Sequence, residues 1–463
     1  MQKRHRTILF FVLAVLFLLI APSLALYSQG YRFDWNQRKV TQTGAFFFKV
    51  SPTRVSIFID GEPISGTDFF FGTTLTRNFL PGPYHIRLEK EGYISWERTL
   101  EIQENAVTEA KNVILFPADL KFQALQEGIE KMWPSASGSK IVFLEQTSQG
   151  ALQLSLLDRS TNRKTVLTAP LSRSSEILHV LFDPQEERVL FQVAGQEQIN
   201  TFIHHISASA TLCGQRACSL SLAVAPKEVV FSSSPNRVLV LRNLGTIQIL
   251  QETDYTTGRD LAYWGTHVAA FTVSGQNLLW LEREGTMWSV NLGPQASPQM
   301  MQTAKFPVRQ ETSYILSAEA GRIFLREAEK AYLIKNQEFQ EIGNGVRDMR
   351  VSPDGRKLLL SNNSEIWILM LQDDDSQPRK REGDRIFITR LSEPISLPLW
   401  ITSSHLIFSV GNTIKIAETD DRDRITPLEI ASFVNPQIFW RDGERTLHVL
   451  SEGTLYASER LMN

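Results

Sequence analysis

The chain has 463 residues, 42% hydrophobic, 21% charged and 10% aromatic, a globular composition that excludes a wholly disordered, collagen-like or coiled-coil protein. Its 48 basic and 50 acidic side chains leave a formal charge of −2, without the basic excess that neutralises phosphates, so nucleic acid is not an expected partner. Two cysteines in such a length exclude a disulfide-built miniprotein and a four-cysteine zinc site.

At the N-terminus Lys3, Arg4 and Arg6 precede an uncharged stretch, ILFFVLAVLFLLIAPSLAL, from Ile8 to Leu26. Its length is close to the roughly 20 helical residues that span bilayer hydrocarbon. Cations before such a segment stay cytoplasmic. The expected topology is therefore a cytoplasmic N-terminus (1–7), a single-pass transmembrane anchor (8–26) and an extracytoplasmic remainder. Ser23-Leu24-Ala25 also supplies the small residues of a signal-peptide cleavage site, so a retained anchor and a cleaved signal both stand, and either one exports the rest of the chain. A stalk (27–43) comes next; its YSQGYRFDWNQRK places Tyr and Trp where the headgroup level of a membrane favours them.

Residues 44–117 read as a small unit built on an antiparallel, half-buried β-sheet. Val55, Ile57 and Ile59 share one strand face, followed by the turn residues Asp60-Gly61. After Pro81-Gly82 the residues Tyr84, Ile86 and Leu88 alternate with polar ones until Glu91-Gly92 turns the chain toward Trp96, Arg98, Leu100 and Ile102. Gly92-Tyr93 is expected to be a turn followed by an aromatic packed on the sandwich. SPTRVSIFIDG at 51–61, the Pro81-Gly82 turn and EKEGYISW at 89–96 resemble the PEGA domain family, although Pro81-Gly82-Pro83-Tyr84 departs from its name-giving motif. That resemblance implies a small exported β-sandwich with a spacer or interaction role. Phe46-Phe47-Phe48 and Phe69-Phe70-Phe71 cannot all enter one face of a sheet, so at least one Phe of each triplet needs a second cover, expected from the neighbouring domain.

From 118 to 463 a unit recurs: an aromatic or aliphatic residue, a polar turn, a strand rich in Val, Ile and Leu, then another strand. Copies begin near Trp133, Phe182, Phe231, Val273, Leu316, Val351, Trp400 and Trp440, separated by 49, 49, 42, 43, 35, 49 and 40 residues. That spacing fits one four-stranded blade per unit, hence a seven- or eight-bladed β-propeller. SPDGRKLLL and FDPQEERVLF resemble repeats of TolB-type and WD-repeat-like propellers. Asp354-Gly355 and Asp442-Gly443 are expected to form turns, with Gly at positive φ. The seven tryptophans from Trp133 to Trp440 are expected to pack between blades.

Cys213 and Cys218 form a C-x4-C pair that can close a short bridge in an oxidising compartment, fixing a local hairpin. No H-E-x-x-H, G-x-S-x-G, P-loop or dinucleotide motif occurs, so no metal, cofactor or nucleotide is expected. Asp373-Asp374-Asp375 with Asp384, and Asp420-Asp421 with Asp423, lack calcium-loop spacing and read as solvated interblade loops. The polar insertion Gln372 to Arg385 has the character of a recognition loop. The expected whole is an all-β, non-enzymatic binding or scaffolding protein of the cell envelope that recognises protein, peptide or glycan. The alternative is an anchored or secreted propeller hydrolase whose carboxylates converge from different blades.

Overall fold

A computed structural model describes residues 3–35, 38–66, 71–147, 149–172, 174–195, 199–206, 218–220, 226–293, 296–301 and 305–462. The helix α1, Lys3–Ser28, is the only helix among them. Its Ile8–Ser28 segment is long and apolar enough to cross a membrane and is not buried against the rest of the chain, which fits a membrane span or a signal sequence. The expected stalk is folded: Tyr31–Asp34 pairs antiparallel with Lys39–Gln42.

Two sheets then stack face to face. One has the order Thr73–Phe79, Gly44–Ser51, Val107–Ile114; the other runs Glu62–Gly66, Ser56–Ile59, Gly82–Glu89, Trp96–Ile102. Phe46, Phe48 and Val50 from the first sheet meet Val55, Ile57, Ile59, Ile86, Leu88, Leu100 and Ile102 from the second in one buried cluster. Strand alternation explains the membership, because every second residue of these segments is apolar. The sandwich is not wholly antiparallel as expected. Gly44–Ser51 runs parallel to Val107–Ile114, since the chain spends the intervening residues building the second sheet and returns in the same direction.

Beyond the sandwich, the described residues form eight four-stranded antiparallel sheets. In chain order, the first strands of sheets one to eight are Ile129–Pro134, Glu176–Phe182, Pro226–Phe231, Val268–Ser274, Tyr314–Glu319, Asp348–Val351, Leu399–Thr402 and Gln437–Arg441. Each of the eight repeat starts falls on one of these strands. The eighth sheet has only three strands from the C-terminal end of the chain; its fourth is Phe122–Gln126, which pairs with the last strand, Thr454–Arg460.

Eight buried clusters lie between the sheets, one for each neighbouring pair. The last contains Ile129, Ile141 and Phe143 of the first sheet with Phe439, Leu450 and Leu455 of the eighth, so the series closes on itself. A sheet with two apolar faces cannot be covered by solvent, and a closed ring gives each face a partner. All seven tryptophans from Trp133 to Trp440 belong to or pack against these clusters. Trp280 is fully buried and stacks on Trp288 at 6.3 Å. Its indole lies so close to Gly265 that a Cβ there would come within 2.6 Å.

Candidate functional site

Within each sheet the strands alternate in direction, so turns after the first and third strands share one face of the ring, here the lower, and turns after the second and fourth share the other, the upper. The sandwich docks on the lower face through the last strand of each of its sheets. Open strand edges expose unpaired backbone groups, and here propeller side chains satisfy them. Gln377 donates its amide to Val107 O (2.8 Å) and accepts from Glu109 N (2.9 Å). Arg422 donates to Glu109 O at 2.8 Å, and Thr99 N donates to Asp423 at 2.6 Å. Lys380 pairs with Asp421 at 2.7 Å and ties the two donor loops together. These loops are the two acidic runs. The second run departs from the solvated loop expected, since Asp420 holds Arg422 and Asp423 receives the sandwich backbone; in the first, Asp373 and Asp375 are exposed and hold Arg381 within the loop, and Gln377 makes the contact with the sandwich. The linker joins in, with Phe116 and Leu120 sunk into the cluster between the seventh and eighth sheets.

At the centre of this seam sits Glu418. Trp96 Nε1 donates to its carboxylate at 2.9 Å and Arg98 lies 3.5 Å away. Burial pushes the Glu418 carboxyl up to about 7; the negative charge of Asp420 adds to this, and the Trp96 N–H with the Arg98 and Arg422 charges opposes it. His405, edge-on to Phe116 at 5.8 Å, is pushed down to about 4 by burial and by Arg98. A cavity of about 430 Å³ between the two units is lined by Trp96, Arg98, Phe116, His405, Glu418 and Asp423. Sequence patterning missed this group, although one signal was present: Trp96 and Arg98 share a strand face with the core residues Leu100 and Ile102, and an arginine on a core face needs a buried partner.

The upper face is different. Val166, Leu244, Ile247, Met300, Leu397 and Val434 are exposed and border second or fourth turns. Leu178 and Ile315 are exposed near the upper ends of first strands. The other exposed large apolar residues among the described part of the ring, Leu261, Tyr263 and Phe387, lie on outermost strands, Leu261 and Phe387 each two residues from a lower turn. A cavity of about 830 Å³ is bounded by first strands of the first, fifth, sixth, seventh and eighth sheets. Its lining includes both upper-end residues (Arg347, Leu397, Gln437) and lower-end ones (Glu319, Val351, Asp442), so it follows the ring axis. Arg350 also lines it; its buried Nε has no hydrogen-bond partner among the described residues.

The remaining sequence-predicted positions lie at turns and strand ends. Asp60 (φ 51°) and Gly61 (φ 85°) join Ser56–Ile59 to Glu62–Gly66 as a two-residue hairpin turn, and Asp60 also accepts from His85 N at 2.9 Å. Pro81 precedes Gly82, which opens its strand, and Tyr84 donates its hydroxyl to Leu80 O at 2.9 Å. Gly92 is at φ 81° and Tyr93 packs against the sandwich core. Gly355 is at φ 71°, with Asp354 accepting from Ser352 and Arg356 N. Asp442-Gly443 departs from expectation: the left-handed residue of that turn is Arg445 (φ 55°), which donates its N–H to Asp442 O, and Gly443 is not at positive φ. Cys213 lies outside the described residues, and Cys218 begins a short strand, Cys218–Leu220. Phe46 and Phe48 fill the sandwich core, whereas Phe47 on the other face lies beneath Lys111 at 5.8 Å. Phe71 is exposed; Phe69 and Phe70 lie outside the described residues.

No family model and no curated relative matches the chain. Solved structures similar to it include the Myceliophteria thermophila Cps50 (Swd1) beta-propeller domain, at 9% identity over 74% of this chain and 99% of that one, with a TM-score of 0.40. Kluyveromyces lactis Hsv2 is similar at 11% identity, 67% and 100% coverage and a TM-score of 0.43. The computationally designed Ika8 protein is similar at 13% identity, 72% and 97% coverage and a TM-score of 0.43. Similarity at this level carries no functional argument; the propeller assignment rests on the sheet order and the closed series of clusters.

Proposed function

We propose that the chain is a single-pass, N-in membrane protein of the cell envelope whose extracytoplasmic part, a PEGA-like sandwich locked beneath an eight-bladed β-propeller, binds protein, peptide or glycan at the upper face. The observation that supports this is the segregation of the two faces. Two lower loops, those of the sixth and seventh sheets, are occupied by the chain's own sandwich, while most exposed apolar side chains of the described ring lie toward the upper turns. Exposed apolar groups ringed by polar turns are the usual material of an interaction surface. Arg347 and Arg350 at one part of the axial cavity and Glu319 and Asp442 at its lower end give its lining both charges. The role is recognition and spacing, with the sandwich setting the distance between the ring and the bilayer.

The test is photo-cross-linking of the full chain in intact cells, with a photoreactive amino acid at position 397 or 434 on the upper face, or at 372 on the lower. Adducts from 397 and 434 but not from 372 are expected. Adducts from 372 alone would overturn the assignment of the face, and protease resistance of the ectodomain in intact but not lysed cells would overturn the topology.

A further inference from the structure

The ribbon of Tyr31–Asp34 and Lys39–Gln42 has one face that the sandwich covers and one that no other described element covers. On the covered side Asp34 and Thr41 are buried, and Gln42 N donates to Glu104 at 2.9 Å. On the other side Phe33 stands directly opposite Val40, and both are exposed. Trp35 is 82% exposed and packs edge-on against Phe33, with ring centroids 4.8 Å apart. Arg38 is exposed at the same end, whereas Lys39 stands opposite Asp34 on the covered side, near Glu104. Two aromatics and a valine held out in water on a two-stranded ribbon are unfavourable unless something apolar receives them.

The chain itself says what receives them. α1 ends at Ser28 and the hairpin begins at Tyr31, and at about 3.5 Å per residue that connection cannot carry the hairpin far from the end of the helix. The joint is also folded rather than loose: Thr43 N donates to Gly30 O at 2.9 Å, and the Arg32 guanidinium lies 3.4 Å over the Tyr27 ring while donating to Tyr27 O. If α1 spans the bilayer, the hairpin sits at its surface. Trp and other aromatics are favoured in that layer, and Lys and Arg beside it are drawn to anionic headgroups.

We infer that the Phe33–Trp35–Val40 face of the hairpin inserts into the interfacial layer of the bilayer that α1 enters, with Arg38 directed at anionic lipid headgroups. This rests on α1 being a retained span. The chain is then attached at two points, and the hairpin fixes the tilt of the sandwich and ring relative to the membrane.

Fluorescence quenching of the full chain in lipid nanodiscs tests this. Of the nine tryptophans, Trp35 is the only one before Trp96, and Trp96 is held in the seam by Glu418. Phosphatidylcholine brominated near the headgroup should quench part of the emission in wild type and none in Trp35→Ser. Adding phosphatidylglycerol should increase that quenching, and Arg38→Gln should remove the increase. Equal quenching of wild type and Trp35→Ser would overturn the inference. Resistance to alkaline extraction from liposomes, measured on the same samples, separates the two failures: extracted protein refutes the span and the inference with it, whereas retained protein without Trp35 quenching refutes the hairpin contact alone.

Discussion

Replacing Glu418 with glutamine isolates the proton held in the seam between sandwich and ring. In the folded chain this carboxyl titrates near 7, against 4.5 for an exposed glutamate. The folded state therefore keeps a proton that the unfolded chain has released, and stability falls as pH rises from 4.5 through 7. Each pH unit of difference corresponds to about 1.4 kcal/mol, so the whole effect is about 3 kcal/mol. Glutamine preserves the shape, can still accept from Trp96 Nε1, and cannot ionise. Urea unfolding of the full chain in detergent, followed by tryptophan emission, should show the variant gaining about 3 kcal/mol on wild type between pH 4.5 and about pH 8. His405 acts in the opposite sense. Its folded value is near 4 against an ordinary 6.5, so the unfolded chain takes up the proton first and stability falls as pH drops through that range. The two terms offset one another between 4.5 and 6.5 in wild type, and Glu418→Gln should expose the histidine as a rise of stability with pH. A wild-type-minus-variant difference that stays flat from 4.5 to 8 would refute the account of the seam.

Gln377→Ala removes both of its side-chain contacts with the Val107–Ile114 edge; a loss of about 1–2 kcal/mol is expected, with faster hydrogen exchange at the Glu109 amide. Phe143 is fully buried in the cluster that joins the first sheet to the eighth, so Phe143→Ala should cost about 3–5 kcal/mol in denaturant unfolding. His448 is buried and pushed down to about 3 by burial and by Arg159 and Arg441. Its folded value lies below 6.5, so His448→Gln should reduce the stability lost on acidification from 6.5 toward 3, read as a smaller shift of the urea midpoint.

Much of the fold could be read from local pattern. The alternation of Val55, Ile57 and Ile59, and of Ile86 and Leu88, identified core faces because strand periodicity is a property of neighbouring residues. The repeat starts landed on first strands because a blade is built from consecutive hairpins. What escaped was carried by pairing at a distance. Nothing near Phe122–Gln126 marks it as the outer strand of a sheet made from Gln437–Arg460, and the parallel neighbours Gly44–Ser51 and Val107–Ile114 have no shared turn to announce them. The acidic loops looked solvated because their partners, Thr99, Val107 and Glu109, lie hundreds of residues away. Asp442-Gly443 was misjudged on a smaller scale: the backbone placed its left-handed residue at Arg445, where composition favours glycine.

The ring borrows its final strand from the beginning of the chain, and this orders events during biosynthesis. Phe122–Gln126 emerges early and has no pairing partner until Thr454–Arg460 has been made, so its edge stays open through synthesis of the eight sheets and is closed only when the ring is.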